Sequence, residues 1–463
     1  MIDTDYLIVG AGAAGLAFAD SLIAEADADV VIVDRRDRPG GHWNDAYPFV
    51  RLHQPSAYYG VNSRALGSDS IDADGPNAGF YERATGAEVR DYFQDVLEEH
   101  LLPSGQVRFF GMGDYLGGSS SEHRFRSHLT AEESTVRVRR KVIDARYLAS
   151  VVPSTHTPSF GVDPAVRSIP INDLPALTEC AGGYTIIGAG KTGMDACSWL
   201  LDSGVAPEAI RWIRPRDTWL LDRAFTQPME RVGSLFEGVS LQLEAAAQAE
   251  SVPDLFRRLE SCGQLVRLDP TVEPTMYRCA TASQDEVKSL RLIENVIRQG
   301  RVLHISEDRI VLEEGSIPTD AKQVHVDCTA DGAPKKPART IFEPDRITLQ
   351  PVRSCLPTFN AALIGFVEAT RENDMEKNRL CPTNPYSDTA LDWIAMSSIS
   401  QQAQITWSQE PDLLAWLERS RLDPARGINA HLADSQVQTA LARYVANGEN
   451  AVERLESFLA ETA

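Results

Sequence analysis

Apolar residues along the chain fall into two kinds of run, and the two kinds alternate. Short, almost unbroken runs stand at Asp5–Val9, Val30–Val33, Val107–Phe110, Val136–Val142, Tyr184–Ile187, Ile210–Ile213 and Val324–Cys328. They are too short for helices and rich in β-branched and aromatic residues, which predicts strands, most of them covered on both faces. Between them lie segments of helical character: from a glycine-rich turn after Val9 to about Glu25, then Glu88–Leu101 and Met194–Ser203. Residues 60–86, rich in Gly, Ser and Asp, predict loops. Pro153 to Pro175 carries five prolines and reads as a linker, after which the strand–helix pattern starts afresh. A second linker-like stretch, Gly315–Asp320, precedes the strand at Val324. Beyond Ser400 the pattern is helical and acidic (Leu413–Glu418, Val437–Val445, Val452–Leu459). Strands alternating with helices predict an α/β fold.

Charge and cysteine usage narrow the field. Lys+Arg 45 against Asp+Glu 66 leaves a net charge of −21. Such a field repels phosphate backbones and anionic lipid, so neither nucleic acid nor a membrane surface is expected as a partner. No apolar stretch approaches the roughly 20 residues that span a bilayer. The opening residues show no basic region or cleavage site, and a cytoplasmic protein is expected. The cysteines at 180, 197, 262, 279, 328, 355 and 381 never form a C-x-x-C pair. That spacing argues against a disulfide framework, a zinc site and a dithiol relay alike, and no metal is expected.

Two glycine-rich turns carry the chemistry. The first, Gly10-Ala-Gly12-Ala-Ala-Gly15, follows the strand Tyr6-Leu-Ile-Val9 and opens a helix. Its first glycine allows the tight turn, its second lets backbone approach a pyrophosphate, and its third lets helix and strand pack closely. Asp34 follows Gly15 by 19 residues at the end of the next strand, where a carboxylate reaches ribose hydroxyls. The second turn, Gly188-Ala-Gly190-Lys191-Thr192-Gly193, also joins a strand to a helix. Here the next strand ends in Arg214-Pro-Arg216, with Arg214 standing 21 residues beyond Gly193. Guanidinium groups grip a 2′-phosphate that a carboxylate would repel, which points to NADPH over NADH. The competing reading pairs these arginines with acids such as Asp217 or Asp222. Gly190-Lys191-Thr192 is no ATPase P-loop, because position 185, where the leading glycine belongs, is threonine.

Past Asp34 comes Gly40-Gly41-His42-Trp43, continuing as Tyr47-Pro-Phe-Val-Arg51-Leu-His53. With both turns, this order resembles the class B flavin-dependent monooxygenases, the superfamily of flavin-containing and Baeyer–Villiger monooxygenases. Two later stretches resemble the same families: His325-Val-Asp-Cys-Thr-Ala-Asp-Gly332, like their strand returning to the FAD domain, and Asn360-Ala-Ala-Leu-Ile-Gly365, like their segment that brings a glycine near the flavin's pyrimidine side. There are departures. The position six beyond Tyr47 is His53, where the Baeyer–Villiger pattern has aspartate and the flavin-containing pattern asparagine. The Phe-x-Gly-x-x-x-His run of both subfamilies is absent from the linker.

The resemblance implies two Rossmann-like dinucleotide-binding domains, one for FAD and one for NADPH, with a helical C-terminal segment. The expected division is 1–178 and 320–400 for FAD, 179–319 for NADPH, and 401–463 for the helical segment, which would cover the cleft or form an interface in a homo-oligomer. The FAD set is Gly10, Gly12, Ala14, Gly15, Asp34, Arg35, Gly41, His42, Trp43, Arg51, His53, Gly332 and Gly365. The NADPH set is Gly188, Gly190, Lys191, Thr192, Gly193, Arg214 and Arg216. The implied activity is oxygenation of a small organic substrate with O2 through a flavin C4a-(hydro)peroxide, His53 being the expected catalytic residue over the flavin. An NAD(P)H-dependent reductase or oxidase without oxygen insertion stays open beside it, as does a nucleotide-binding sensor.

Overall fold

The computed structural model describes every residue except Ser120, Cys180, Ala181, Ala333, Ser354, Thr462 and Ala463. The first sheet is built on β1 (Ile2–Val9), β2 (Val30–Val33), β3 (Val107–Phe110) and β6 (Glu133–Asp144), mutually parallel in the order β3-β2-β1-β6. β4 (Gly113–Ser119) and β5 (Glu122–Ser127) add an antiparallel ribbon to the N-terminal half of β6. The short strand Arg346–Thr348 pairs in parallel with its C-terminal end. The unbroken apolar runs have a simple cause. Tyr6, Ile8, Val30 and Ile32 point into one core, and Leu7, Val9, Val31 and Val33 into another with Phe125, Val136 and Val138. Neither face meets water, so neither face is polar.

A second sheet is parallel throughout, in the order Val296–Ile297, Ile210–Ile213, Gly183–Ile187, Gln323–Asp327, Ser168–Pro170. This corrects two expected boundaries. The strand Gln323–Asp327, expected to return to the first sheet, hydrogen-bonds to Gly183–Ile187 in the second. The proline-rich linker likewise gives Ser168–Pro170 to the edge of that sheet. The chain rejoins the first sheet only at Arg346–Thr348. Val302–Ile305 forms part of a small four-stranded sheet with Gly161–Val162, and Met276–Ala282 part of a three-stranded one with Thr218–Asp222.

Helix α1 (Ala13–Glu25) follows β1 directly and packs against helix Pro357–Thr370. The C-terminal helix Ser435–Ala460 is one continuous element where two were expected, and it lies along Val232–Gln248 and Ala390–Trp407. Ala451, Leu455 and Phe458 bury its apolar stripe there, beside Trp219, Phe256 and Trp393. No helix among the described residues is long and apolar enough to cross a membrane.

Candidate functional site: two glycine turns and a buried ionic cluster

The two glycine turns repeat the same geometry. Gly10 and Gly188 hold φ of +111° and +134°, a left-handed backbone that only glycine adopts freely. Gly12 and Gly190 precede their helices in extended backbone, at φ/ψ of −75°/178° and −78°/−179°. A Cβ on Gly15 would stand 2.1 Å from the Gly10 carbonyl oxygen, and one on Gly193 would stand 2.2 Å from that of Gly188. The third glycine of each turn is therefore a packing requirement between helix and strand. The middle glycine is different. Around Gly190 a Cβ would meet nothing within 4 Å, and Gly12 meets only the Gly41 Cα at 3.7 Å. Both turns keep a cradle that a methyl group would fill, on the side where helix N–H groups are unpaired.

The first turn opens on a cavity of about 400 Å³. Gly10, Gly12, Ala14, Asp34, Arg35, Gly41 and His42 line it, together with Tyr59, Tyr115, Arg146, Cys355 and Tyr386. Asp34 accepts from the backbone N–H of Ala11 at 2.6 Å and of Arg36 at 2.8 Å, so its carboxylate also braces the turn. The Gly40-Gly41 pair exists for close approach: Gly40 N–H donates to the Ala11 carbonyl at 2.9 Å, and a Cβ on Gly41 would reach the Gly12 Cα at 3.0 Å. Burial, then the charge of Arg36, lowers the His42 pKa to about 4, so this cavity-lining imidazole is neutral at physiological pH. Trp43 stays outside the cavity wall and acts through Tyr59, whose hydroxyl takes its indole N–H at 2.8 Å. The N-terminus of helix Pro357–Thr370 faces the cavity through Pro357 and Ala361.

Gly365, Gly332 and Arg51, also expected around a flavin, do not line this cavity either. Gly365 is in the middle of that helix, where an added Cβ would strike the Phe18 carbonyl of α1 at 2.7 Å. Its role is helix–helix contact. Gly332 is exposed and absent from the cavity wall. Arg51 is exposed and donates to the Arg83 carbonyl at 3.0 Å.

His53 joins a different constellation, centred on the second turn. Lys191, from the first turn of helix Lys191–Asp202, forms an ion pair with Asp195 one turn on and lies 3.7 Å from Glu286. Arg223, fully buried, holds Glu286 at 2.6 Å and donates through Nε to the His53 carbonyl at 3.3 Å. Arg83 stands 3.7 Å from Glu286 and donates to the Leu52 carbonyl at 3.3 Å. Tyr47 donates its hydroxyl to Asp195 at 2.6 Å. The loop from Tyr47 to His53 is thus tied by side chains to the second turn. Burial raises the Glu286 carboxyl, but Lys191, Arg223 and Arg83 overcome it and hold the pKa at about 2. For His53, burial and then Lys191, with Arg83 and Arg223, outweigh Asp195 and push the pKa down to about 3. His53 is a neutral imidazole outside the cavity wall, not the group lining it.

The arginines after the second turn have partners. Arg214 is buried, stacks over Trp212 and pairs with Asp217 at 3.1 Å, while its Nε is buried without a hydrogen-bond partner. Arg216 is bidentate on Asp388, at 3.0 Å to each oxygen. Asp217 as a partner was readable from its spacing; Asp388, far along the chain, was not. Thr192 sits in the first turn of its helix, next to Lys191. Among the described residues no group of three or more His, Cys, Asp or Glu is placed to hold a metal ion. The cysteine spacing misled: Cys279 and Cys355 form a disulfide across 76 positions, and Cys355 lines the cavity. Cys180 lies outside the described residues.

A Rossmann-type turn on each of two sheets, one mixed and one parallel, makes this a double-Rossmann protein of the α/β class. Residues 8–62 match the NAD(P)-binding Rossmann-like domain family. The fold is similar to that of the polycyclic ketone monooxygenase of the thermophilic fungus Thermothelomyces thermophila, with a TM-score of 0.51 and 13% identity over 96% of this chain and 89% of that one. In sequence, the chain belongs to one family with uncharacterized proteins of Mycobacterium tuberculosis and Mycobacterium bovis. Each is 48% identical over 423 residues, covering 91% of this chain and 78% of the relative.

Proposed function

We propose that the protein is an FAD-dependent, NADPH-consuming oxidoreductase, and that it acts as a monooxygenase on a small organic molecule with O2. The observation that carries this reading is the repetition of one turn geometry on two sheets, each with an open cradle at its middle glycine. The first turn takes the FAD pyrophosphate, with Asp34 on the ribose and the cavity holding the remainder of the cofactor. The N-terminus of helix Pro357–Thr370 stabilises electron-rich oxygen at its end of that cavity. The second turn takes NADPH, and the unpartnered Nε of Arg214 is the donor with capacity left for the 2′-phosphate. When bound, FAD accepts hydride from the nicotinamide and supplies the reactivity towards O2. The FAD-binding unit comprises the first sheet with helix Pro357–Thr370, and the NADPH-binding unit the second sheet with its neighbours, residues 161–328.

His53 acts here as a neutral group. With its pKa near 3 it cannot serve as an imidazolium acid, but its ring N–H would be free to donate to the amide of a bound nicotinamide. Tyr47, Asp195 and Lys191 fix the loop that carries it. The test is anaerobic reduction of the flavin by NADPH, followed by admission of isotopically labelled O2 and product analysis. Label in the product supports oxygenation, whereas release of all the oxygen as peroxide supports the reductase or oxidase reading. A Gly12→Val protein that keeps full flavin refutes the FAD assignment.

A further inference from the structure

The fold pairs two cysteines that nothing in their spacing connects. Cys279 is on the strand Met276–Ala282, and Cys355 is in the segment leading into helix Pro357–Thr370; they are disulfide-bonded with their Cα atoms 6.3 Å apart. Four observations set this pair apart from a structural staple. Cys197, Cys262, Cys328 and Cys381 are all free, so the bond is not one of a framework built by an oxidising compartment. Cys197, Cys328 and Cys381 are buried, with burial raising each thiol far above its ordinary pKa, whereas Cys279 and Cys355 are only partly buried. Cys355 also lies in the cavity wall, beside Leu356 and Pro357. Finally, both cysteines hold a left-handed backbone, φ +56° and +55°, which side chains other than glycine seldom adopt and which concentrates where chemistry is done.

We propose that Cys279–Cys355 is a redox-active disulfide that accepts an electron pair from reduced flavin in the adjoining cavity, an inference that rests on the FAD assignment above. The S–S bond takes up two electrons and two protons and breaks to two thiols. One NADPH is oxidised to NADP+ through the flavin for each disulfide reduced, its hydride supplying the electron pair and one proton, and solvent supplying the second proton. The covalent tie between the strand Met276–Ala282 and the segment before helix Pro357–Thr370 then exists only in the oxidised protein.

The experiment uses anaerobic holoprotein. It is reduced with NADPH, denatured in iodoacetamide and digested, and the cysteine peptides are weighed. The Cys279 and Cys355 peptides should be joined in the oxidised protein, and each should carry one carbamidomethyl group after reduction. In reductive titration, wild type should consume two NADPH per flavin and Cys355→Ser one. A second sample is reduced by light and EDTA without NADPH, which separates failure of the NADPH assignment from failure of the disulfide. Peptides that stay joined while the flavin is fully reduced overturn the proposal, as do unjoined thiols in the aerobic protein. Protein that binds no FAD overturns the cofactor assignment with it, and the flavin spectrum shows this directly. If Cys355→Ser does not fold, the wild-type peptide masses still decide.

Discussion

Replacing Gly190 and Gly193 by alanine, three positions apart in one turn, should have opposite effects. At Gly190 the backbone is already in a region open to any residue, and the new Cβ meets nothing within 4 Å. Loss of glycine's flexibility in the unfolded chain favours alanine by about 0.4–1 kcal/mol, and alanine's poorer fit at a helix N-cap opposes this by a similar amount, roughly 0.5–1 kcal/mol. The melting temperature should therefore stay within a degree or two. The methyl group nevertheless fills the cradle, and a pyrophosphate would have to stand off by roughly one ångström. Overpacking of that order costs about 1–3 kcal/mol, or roughly five- to more than a hundredfold in NADPH affinity. At Gly193 the Cβ would be 2.2 Å from the Gly188 carbonyl oxygen, a backbone atom that cannot swing aside. Helix and strand must separate, at a similar 1–3 kcal/mol, but here charged to stability: a fall of roughly 2–12 °C. The assays are thermal melts of both variants without ligand and NADPH titrations followed by flavin reduction. Unchanged NADPH affinity in Gly190→Ala would show that the turn does not hold the pyrophosphate. An unchanged melt in Gly193→Ala would refute the packing argument.

Three further outcomes follow from the same contacts. Arg214→Ala should lower affinity for NADPH by roughly ten- to a hundredfold more than for NADH, while Arg216→Ala should leave that preference nearly intact because Arg216 is engaged by Asp388; dissociation constants for both cofactors decide, and equal loss with both in Arg214→Ala removes it from phosphate recognition. Tyr47→Phe removes the hydrogen bond to Asp195 and should cost about 1.5–3 kcal/mol, read as a lowered denaturation midpoint; an unchanged midpoint would show the bond to be idle. His42 and His53 titrate near 6.5 when unfolded but near 4 and 3 in the fold, so between those values the unfolded chain binds more protons and stability must fall as pH drops below 6.5; His53→Gln should flatten that fall, and an unaltered slope of melting temperature against pH would contradict the depressed pKa.

What the sequence showed and what it hid divide along a physical line. Both glycine turns, the strands Val30–Val33 and Ile210–Ile213, and α1 were legible because each is specified by residues near in sequence. Sheet membership was not. The strand Gln323–Asp327 has the same apolar character whichever sheet it joins, and only its distant partner at Gly183–Ile187 decides. Helix Pro357–Thr370 left no periodic signal in the sequence for a related reason. Every residue from Thr358 to Glu368 is buried, so the helix has no polar face and its sequence lacks the 3.6-residue period. Some of the ionic cluster left local traces: Lys191 and Asp195 are four apart on one helix, and Glu286 closes a capping box with Ser283. Arg83 and Arg223, which complete it, left none.

The two turns are alike in backbone and unlike in surroundings, and the difference bears on how they work together. The first turn is braced by groups near in sequence, the Asp34 carboxylate accepting from the Ala11 N–H and Gly40 and Gly41 packing on Ala11 and Gly12, none of them tied to the second turn. The second is braced by charge. Lys191 at its helix start is held by Asp195 and lies near Glu286, and both acids also engage groups beyond that helix, Tyr47 in one case and Arg83 and Arg223 in the other. On the proposed assignment, an anionic cofactor arriving at the second turn would compete with those acids for Lys191. Any weakening of the Lys191–Asp195 pair changes the acceptor strength of Asp195 and hence the hold on Tyr47. Tyr47 begins the segment that ends at His53, and Val50 and Leu52 within it are pinned by backbone hydrogen bonds to residues 84–86. On the proposed NADPH assignment, binding at the second turn would be felt first at the loop between the two turns, which carries His53.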